Sequence, residues 1–330
     1  MLRVLKIFIG VVLLSGCGEE RFFFHGGSVF GTVYRVKYAA TVEYRDEIQA
    51  VLARVDSSLS MFNERSLVSR INRGEEPPVD SLFTQVFEMA ARVHERSGGA
   101  FDLTVAPLVN AWGFGTERER TLTPGQVDSL LAFVGMWRVE LRDGRVVKEK
   151  PGVRLDAGAI AKGLGVDEVA HFLEGRGVRN YMVEIGGEVR VKGGSDTRDA
   201  WRIGILDPGG GEDPVERQLT RLVIAMRAGA LATSGNYRNY REREGRRYGH
   251  TIDPRTGYPV QRDIVSASVF AASCMEADAY ATAFMVMGLE QSKHLVESAP
   301  GLEACLIFRA GTGELETWLS RGFREMVLHD

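Results

Sequence analysis

Short alternating runs joined by two-residue turns constrain this chain most. Val139–Leu141 and Arg145–Lys148 flank Asp143-Gly144, while Tyr181–Ile185 and Val189–Lys192 flank Gly186-Gly187. Asp-Gly and Gly-Gly supply the positive φ angles that two-residue hairpins need, so both segments predict antiparallel strand pairs. Phe30–Tyr38, Trp201–Leu206, Leu222–Met226 and Val265–Phe270 read as further strands, as do runs starting at Leu302 and Leu315. Pro208–Pro214 is Gly-rich but lacks the Lys-Ser/Thr of a phosphate loop, and reads as a hairpin connection. Helical stripes run through Val42, Ile48, Val51, Leu52 and Val55, and through Leu82, Val86, Met89, Ala90 and Val93, the latter closed by Gly98-Gly99. Thr123-Pro124 forms an N-cap before Val127–Val134, and Met275–Met287 and Leu289–Ser298 are further helices. Hairpins with interspersed helices predict an α+β fold with a largely antiparallel sheet, not a doubly wound parallel one.

The 330 residues are 44% hydrophobic and 26% charged, enough to bury a sizeable core, and the net charge of −3 gives no footing for a nucleic-acid partner. The basic cluster Arg238–Arg247 is interleaved with Glu242 and Glu244. Arg3 and Lys6 precede the apolar run Ile7–Leu14, too short for a membrane span but suited to a signal peptide. Leu14-Ser15-Gly16-Cys17 resembles a bacterial lipoprotein cleavage box, with Cys17 as the lipidated first residue of the mature chain. The alternative is an ordinary secretory signal with an incidental cysteine. The expected organisation is a signal peptide at 1–16, a tether at 17–28 in which Phe22-Phe23-Phe24 docks, and one domain at 29–330. Cys274 and Cys305 sit among apolar residues, either as reduced thiols or, in an oxidising compartment, as a bridge.

Leu155-Asp156-Ala157-Gly158-Ala159-Ile160-Ala161-Lys162-Gly163 places an acid, small residues and a lysine where a strand ending in Val153-Arg154-Leu155 meets a helix. Lys162 falls in the first helical turn, where the macrodipole disfavours a cation. A bound anion reverses that sign, because free N–H groups and an ammonium together hold a phosphate. A tight turn carrying a solvated lysine is the other reading.

Asp278 and Thr282, four apart on the predicted helix Met275–Met287, share one face. Their hard oxygens suit Mg²⁺ better than zinc; alternatively, Thr282 bonds back into its own helix. His250 opens His250-Thr251-Ile252-Asp253-Pro254-Arg255-Thr256-Gly257, a rigid turn that would fix the histidine at a strand end, either as a general base or as a satisfied surface histidine. Phe101, after Gly98-Gly99, and Phe62, in a loop, are either core residues or stacking faces for a planar ligand.

Together these segments resemble the ApbE family, the FAD:protein FMN transferases. Phe30-Gly31-Thr32, Ser60–Asn72, Gly99–Gly115, Leu155–Asp167, Val183–Lys192, Ala232–Tyr237, His250–Val260 and Glu276–Gly288 occur in the family's order. The resemblance implies a T-fold-like α+β core, export and lipid anchoring at a bacterial membrane, and FMN transfer from FAD to a threonine or serine of another protein, releasing AMP. It implies that Phe30, Phe62, Ala100, Phe101, Asp102, Asp156, Lys162 and Ile252 bind FAD, that the Ala159 carbonyl, Asp278 and Thr282 hold Mg²⁺, and that His250 activates the acceptor. Phe30 replaces a common methionine, Phe62 a common tyrosine, and Gly158 a frequent serine. The family's acceptors carry Asp-x-x-[Ser/Thr]-Gly-Ala-[Ser/Thr], which Ala232-Thr233-Ser234-Gly235 fails to match. The chain is therefore not expected to flavinylate itself, and the resemblance implies a membrane redox subunit or exported flavoprotein as its partner. A Mg²⁺-dependent FAD pyrophosphatase and a non-catalytic FAD-binding lipoprotein are the alternatives.

Overall fold

The computed structural model describes residues 19–118, 120–209, 219–236, 240–243 and 246–329. Cys17, most of Pro208–Pro214 and part of the Arg238–Arg247 cluster lie outside them. The first half carries β1 (Arg21–Val29), β2 (Thr32–Ala40), α1 (Arg45–Leu59), α2 (Leu67–Asn72), α3 (Ser81–Arg96), α4 (Ala106–Ala111), α5 (Pro124–Leu131), β3 (Val139–Arg142) and β4 (Arg145–Lys148). Next come α6 (Ala161–Gly175), β5 (Tyr181–Ile185), β6 (Glu188–Lys192), β7 (Trp201–Leu206), β8 (Thr220–Met226), β9 (Ala228–Gly235), β10 (Tyr240–Arg243) and β11 (Arg246–Gly249). The chain closes with β12 (Ile264–Ala271), α7 (Cys274–Met287), α8 (Leu289–Ser298), β13 (Glu303–Arg309), β14 (Leu315–Leu319) and α9 (Arg321–Met326).

Eight of these strands form one sheet in the order β1-β2-β5-β6-β9-β12-β13-β14, and each neighbouring pair is antiparallel. The α+β expectation therefore stands. Asp143 and Gly144 take φ of 50° and 68°, as the β3–β4 hairpin requires. Two sequence expectations are corrected. Most of the 17–28 tether is β1, paired to β2 from Arg21↔Ala40 to Val29↔Thr32 and seated by buried Phe23 and His25. Val153–Leu155 is not a strand: the Asn72 side chain accepts from Leu155 N–H and donates to its carbonyl, supplying the partners a strand neighbour would give.

The alternation of β6 explains the layering. Val189 and Val191 join Trp201, Ile205, Ile224 and Phe323 under the β7–β8 ribbon and α9. Glu188 and Arg190 point the other way, toward α6, where they reach Lys162 and Asp167. Twelve of the fourteen residues of α7 are buried, which is how a helix apolar all round behaves when it is the centre of a core. Asp278 is the buried charged side chain of α7, while Glu276 and Thr282 are only partly buried. Cys274 and Cys305 are free and buried in different apolar clusters, so the bridged alternative does not form. No helix of the described residues is long and apolar enough to cross a membrane.

Helices α6 and α7 approach closely because Gly163 has no side chain. A β-carbon there would lie 2.4 Å from the Cys274 carbonyl oxygen and 2.8 Å from Met275 Cα. Both obstacles are backbone, so neither yields by a rotamer change. Gly163→Ala is expected to lower stability by about 3 kcal/mol, read as a lower thermal midpoint by circular dichroism. An unchanged midpoint would show that the helices part freely.

Candidate active site

Helices α6 and α7 meet the ends of β5, β6 and β9 at a cleft of about 850 Å³, toward the upper end of cofactor-site sizes. Its wall includes every residue that the sequence nominated for FAD, metal or the acceptor: Phe30, Phe62, Ala100, Phe101, Asp102, Asp156, Ala159, Lys162, His250, Ile252, Asp278 and Thr282.

One end is charged. Asp278 is 1% exposed on α7, and its Oδ2 accepts the Gly163 N–H at 3.0 Å. It thereby caps an α6 N-terminus whose own N-cap, Ile160, offers no side-chain acceptor. Lys162 Nζ pairs with Glu188 Oε1 and lies 3.6 Å from Asp278 Oδ1. The lysine in the positive half of the helix dipole is thus compensated by two carboxylates. Burial alone would lower the Lys162 pKa, but Asp278 and Glu188 outweigh that and raise it, so the lysine is an ammonium. Burial pushes Glu188 up and Asp278 adds to this, against the pull of Lys162, leaving it at about 7.

Thr282 lies one turn beyond Asp278, and its Oγ1 is 3.2 Å from Ser234 Oγ on β9. The hydroxyl thus faces β9 and the cleft. No group of three His, Cys, Asp or Glu side chains suited to a metal occurs among the described residues. One carboxylate, hydroxyls and a nearby carbonyl are nonetheless the hard-oxygen set Mg²⁺ accepts, since it keeps several waters and substrate oxygens in its shell. The residues fit the ion.

The loop Asp156–Ile160 is pinned by hydrogen bonds from Asp156 N–H to the Leu103 carbonyl and from Gly158 N–H to Asp156 Oδ1. Burial raises the Asp156 pKa, while the Gly158 N–H opposes it. Asp102 acts mainly on its own loop. Its Oδ1 accepts from Thr104 N–H and Oγ, and its Oδ2 from Met136 N–H. Asp102 therefore shapes the wall that Ala100 and Phe101 present.

Aromatic rings line other parts of the wall. Phe30 adopts φ of 51°, a region uncommon for non-glycine residues. This β1–β2 turn sends its ring against α6, where a β-carbon on Gly165 would sit 2.8 Å from Phe30 Cε2. Phe62 is 72% exposed at the mouth, on a loop held by Asn63 Nδ2 donating to Asp56 Oδ2 at 2.7 Å. His250 follows β11 and meets Phe114 edge-on, with ring centroids 6.5 Å apart. The turn after it is rigid: Val260 N–H donates to the Thr251 carbonyl, Gly257 N–H to the Asp253 carbonyl, and Arg255 clasps the Asp253 carboxylate. Ile252 packs with Leu108, Val127 and Val134 beneath this segment.

Glu188 and the Ser234 hydroxyl were not singled out as site residues from sequence. In Glu188-Val189-Arg190-Val191 the charges alternate as on a solvent face. Only the covering helix α6 turns that face inward.

An α+β sheet protein whose cofactor-sized cleft holds a buried carboxylate–ammonium cluster, aromatic faces and a histidine describes a nucleotide-handling enzyme. The profile of the ApbE family matches residues 30–306. An FAD:protein FMN transferase of Vibrio cholerae is 37% identical over 87% of this chain and 88% of its own, and one of Haemophilus influenzae is 37% identical over 95% and 94%. The structure of the flavin transferase ApbE from Vibrio cholerae superposes with a TM-score of 0.84 at 33% identity, covering 93% of this chain and 99% of that one. The apo flavinyl transferase ApbE of Pseudomonas stutzeri gives 0.82 at 32%, covering 93% and 97%. The chain belongs to the ApbE family.

Proposed function

We propose that this protein transfers FMN from FAD to a threonine or serine hydroxyl of another protein and releases AMP. The observation that carries this reading is one cleft holding Lys162, Asp278 and Thr282 together with His250. In the transfer, the acceptor oxygen bonds to the FMN phosphorus and the phosphoanhydride bond to AMP breaks. The hydroxyl proton passes to His250, and AMP departs with the bridging oxygen. Lys162 holds negative charge on the pyrophosphate, the main service a protein gives phosphoryl transfer. The Ala159 carbonyl, Asp278 and Thr282 would hold Mg²⁺, which when bound neutralises further charge on the same phosphates. Phe30 and Phe101 line the flavin or adenine path, and Phe62 offers a stacking face at the mouth.

Incubation of the purified protein with FAD and Mg²⁺, with and without an acceptor peptide carrying the Asp-x-x-[Ser/Thr]-Gly-Ala-[Ser/Thr] motif, tests the assignment. FMN bound covalently to the peptide is the expected result. Free FMN plus AMP would replace transfer by pyrophosphatase activity, and intact FAD would leave only binding.

The lipoprotein box at Cys17 supports an exported protein anchored to a bacterial membrane, with a membrane redox subunit or exported flavoprotein as acceptor. Cys17→Ser is expected to move the protein from the membrane fraction to the soluble exported fraction. Retention in the membrane fraction would remove Cys17 as the anchor.

A further inference from the structure

Glu188 lines the charged end of the cleft, yet the transfer mechanism gives it no task. It is 2% exposed, and its Oε1 takes the Lys162 ammonium. Its Oε2 is buried with no hydrogen-bond partner among the described residues. The Gly186 turn lies over that oxygen, since a β-carbon on Gly186 would be 3.4 Å away. A half-partnered buried carboxylate is an expensive side chain at the start of a core strand. Arg190, two residues along β6, also faces α6, but its partner Asp167 is saturated by the Cys274 and Met275 N–H groups, and neither residue lines the cleft. That second pair ties α6 to α7. Glu188 ties nothing but Lys162.

The geometry around Lys162 shows what this achieves. Nζ sits in direct contact with Glu188 and makes a longer ion pair with Asp278 Oδ1 at 3.6 Å, one small side-chain rotation short of a hydrogen bond. Asp278 Oδ2 is already taken by the Gly163 N–H, so Oδ1 is the oxygen left for a cation. An ammonium bonded to Oδ1 competes with a divalent cation for that oxygen's lone pairs and repels it. We propose that Glu188 is a positioning residue that holds Lys162 away from Asp278 Oδ1, keeping that oxygen open for the divalent cation while leaving the ammonium facing the phosphates. This rests on the metal reading of Asp278 and Thr282 given above.

The test uses the whole FAD-free protein and Mn²⁺ as the probe, with bound ion counted by electron paramagnetic resonance, so it is independent of turnover. Glu188→Gln keeps the shape but loses the charge that holds Lys162. It is expected to weaken Mn²⁺ binding about tenfold, and Lys162→Met/Glu188→Gln to recover most of that loss. Crystals of Glu188→Gln should show Nζ moved from 3.6 Å to hydrogen-bond distance from Asp278 Oδ1. Wild-type Mn²⁺ affinity in Glu188→Gln, or an Nζ that stays put or turns into the cleft, would overturn the proposal. If Glu188→Gln does not fold, Lys162→Met/Glu188→Leu removes both charges. That double variant should then bind Mn²⁺ at least as well as wild type, and weaker binding would overturn the proposal. Wild-type protein that binds no Mn²⁺ would instead overturn the metal reading and this proposal with it.

Discussion

His250→Ala is expected to lower FMN transfer by roughly 10²–10⁴-fold, the usual worth of a positioned general base, while leaving FAD binding nearly intact. The structure explains why the two effects separate. His250 stands beyond β11 on a turn stiffened by Arg255–Asp253 and by the Val260-to-Thr251 backbone bond. The charged cluster that would grip the pyrophosphate is carried by α6, α7 and β6 instead. Removing the imidazole therefore takes away a proton acceptor and an edge contact to Phe114, but no phosphate ligand. Flavin fluorescence titration and transfer to an acceptor peptide, measured on the same preparation, check both halves. Normal transfer by the variant would take His250 out of the mechanism.

The second large effect is at Asp278. Asp278→Ala should reduce turnover about 10³-fold, the equivalent of about 4 kcal/mol of lost charge stabilisation, and abolish the response to Mg²⁺. Two consequences are mixed in that variant. The Gly163 N–H at the head of α6 loses its acceptor as well as the cation losing its carboxylate. Asp278→Asn separates them, since the amide oxygen can still cap α6 but carries no charge. Expected for Asn is a thermal midpoint near that of wild type with the same collapse of Mg²⁺ dependence. An Asn variant that keeps its Mg²⁺ response would move the metal site away from α7.

That Asp278 and Thr282 share one helix face was readable because helical periodicity is strict. Positions 278 and 282 share a face whatever surrounds the helix, and the structure places both on the cleft. The turn after His250 was readable because Asp-Pro and Thr-Gly have few conformations. β1 was not, because Phe22-Phe23-Phe24 and Gly26-Gly27 break the alternation of an edge strand. Pairing with β2 supplies what the local pattern lacks. Val153–Leu155 misled in the opposite sense: apolar alternation was present, but the backbone partners come from the Asn72 side chain. Glu188 escaped because a strand's polar face is inward or outward only by what is laid over it, and that is decided by α6, more than ten residues upstream. Asp102 does line the cleft, yet its oxygens bond within its own loop, which no spacing in the sequence could show.

β1 also sets a distance. It begins at Arg21 and delivers the chain directly to Phe30 on the cleft wall, and nine extended residues span about 30 Å. If the chain is held at a membrane through Cys17, this strand carries the Phe30 wall of the cleft up to one strand length beyond Arg21. Where the strand stands upright on the bilayer, acceptor hydroxyls lying flush with it would be out of reach. Those carried on a domain that projects a comparable distance would be modified first, so the choice among acceptors would depend on height above the membrane as well as on the sequence around the hydroxyl.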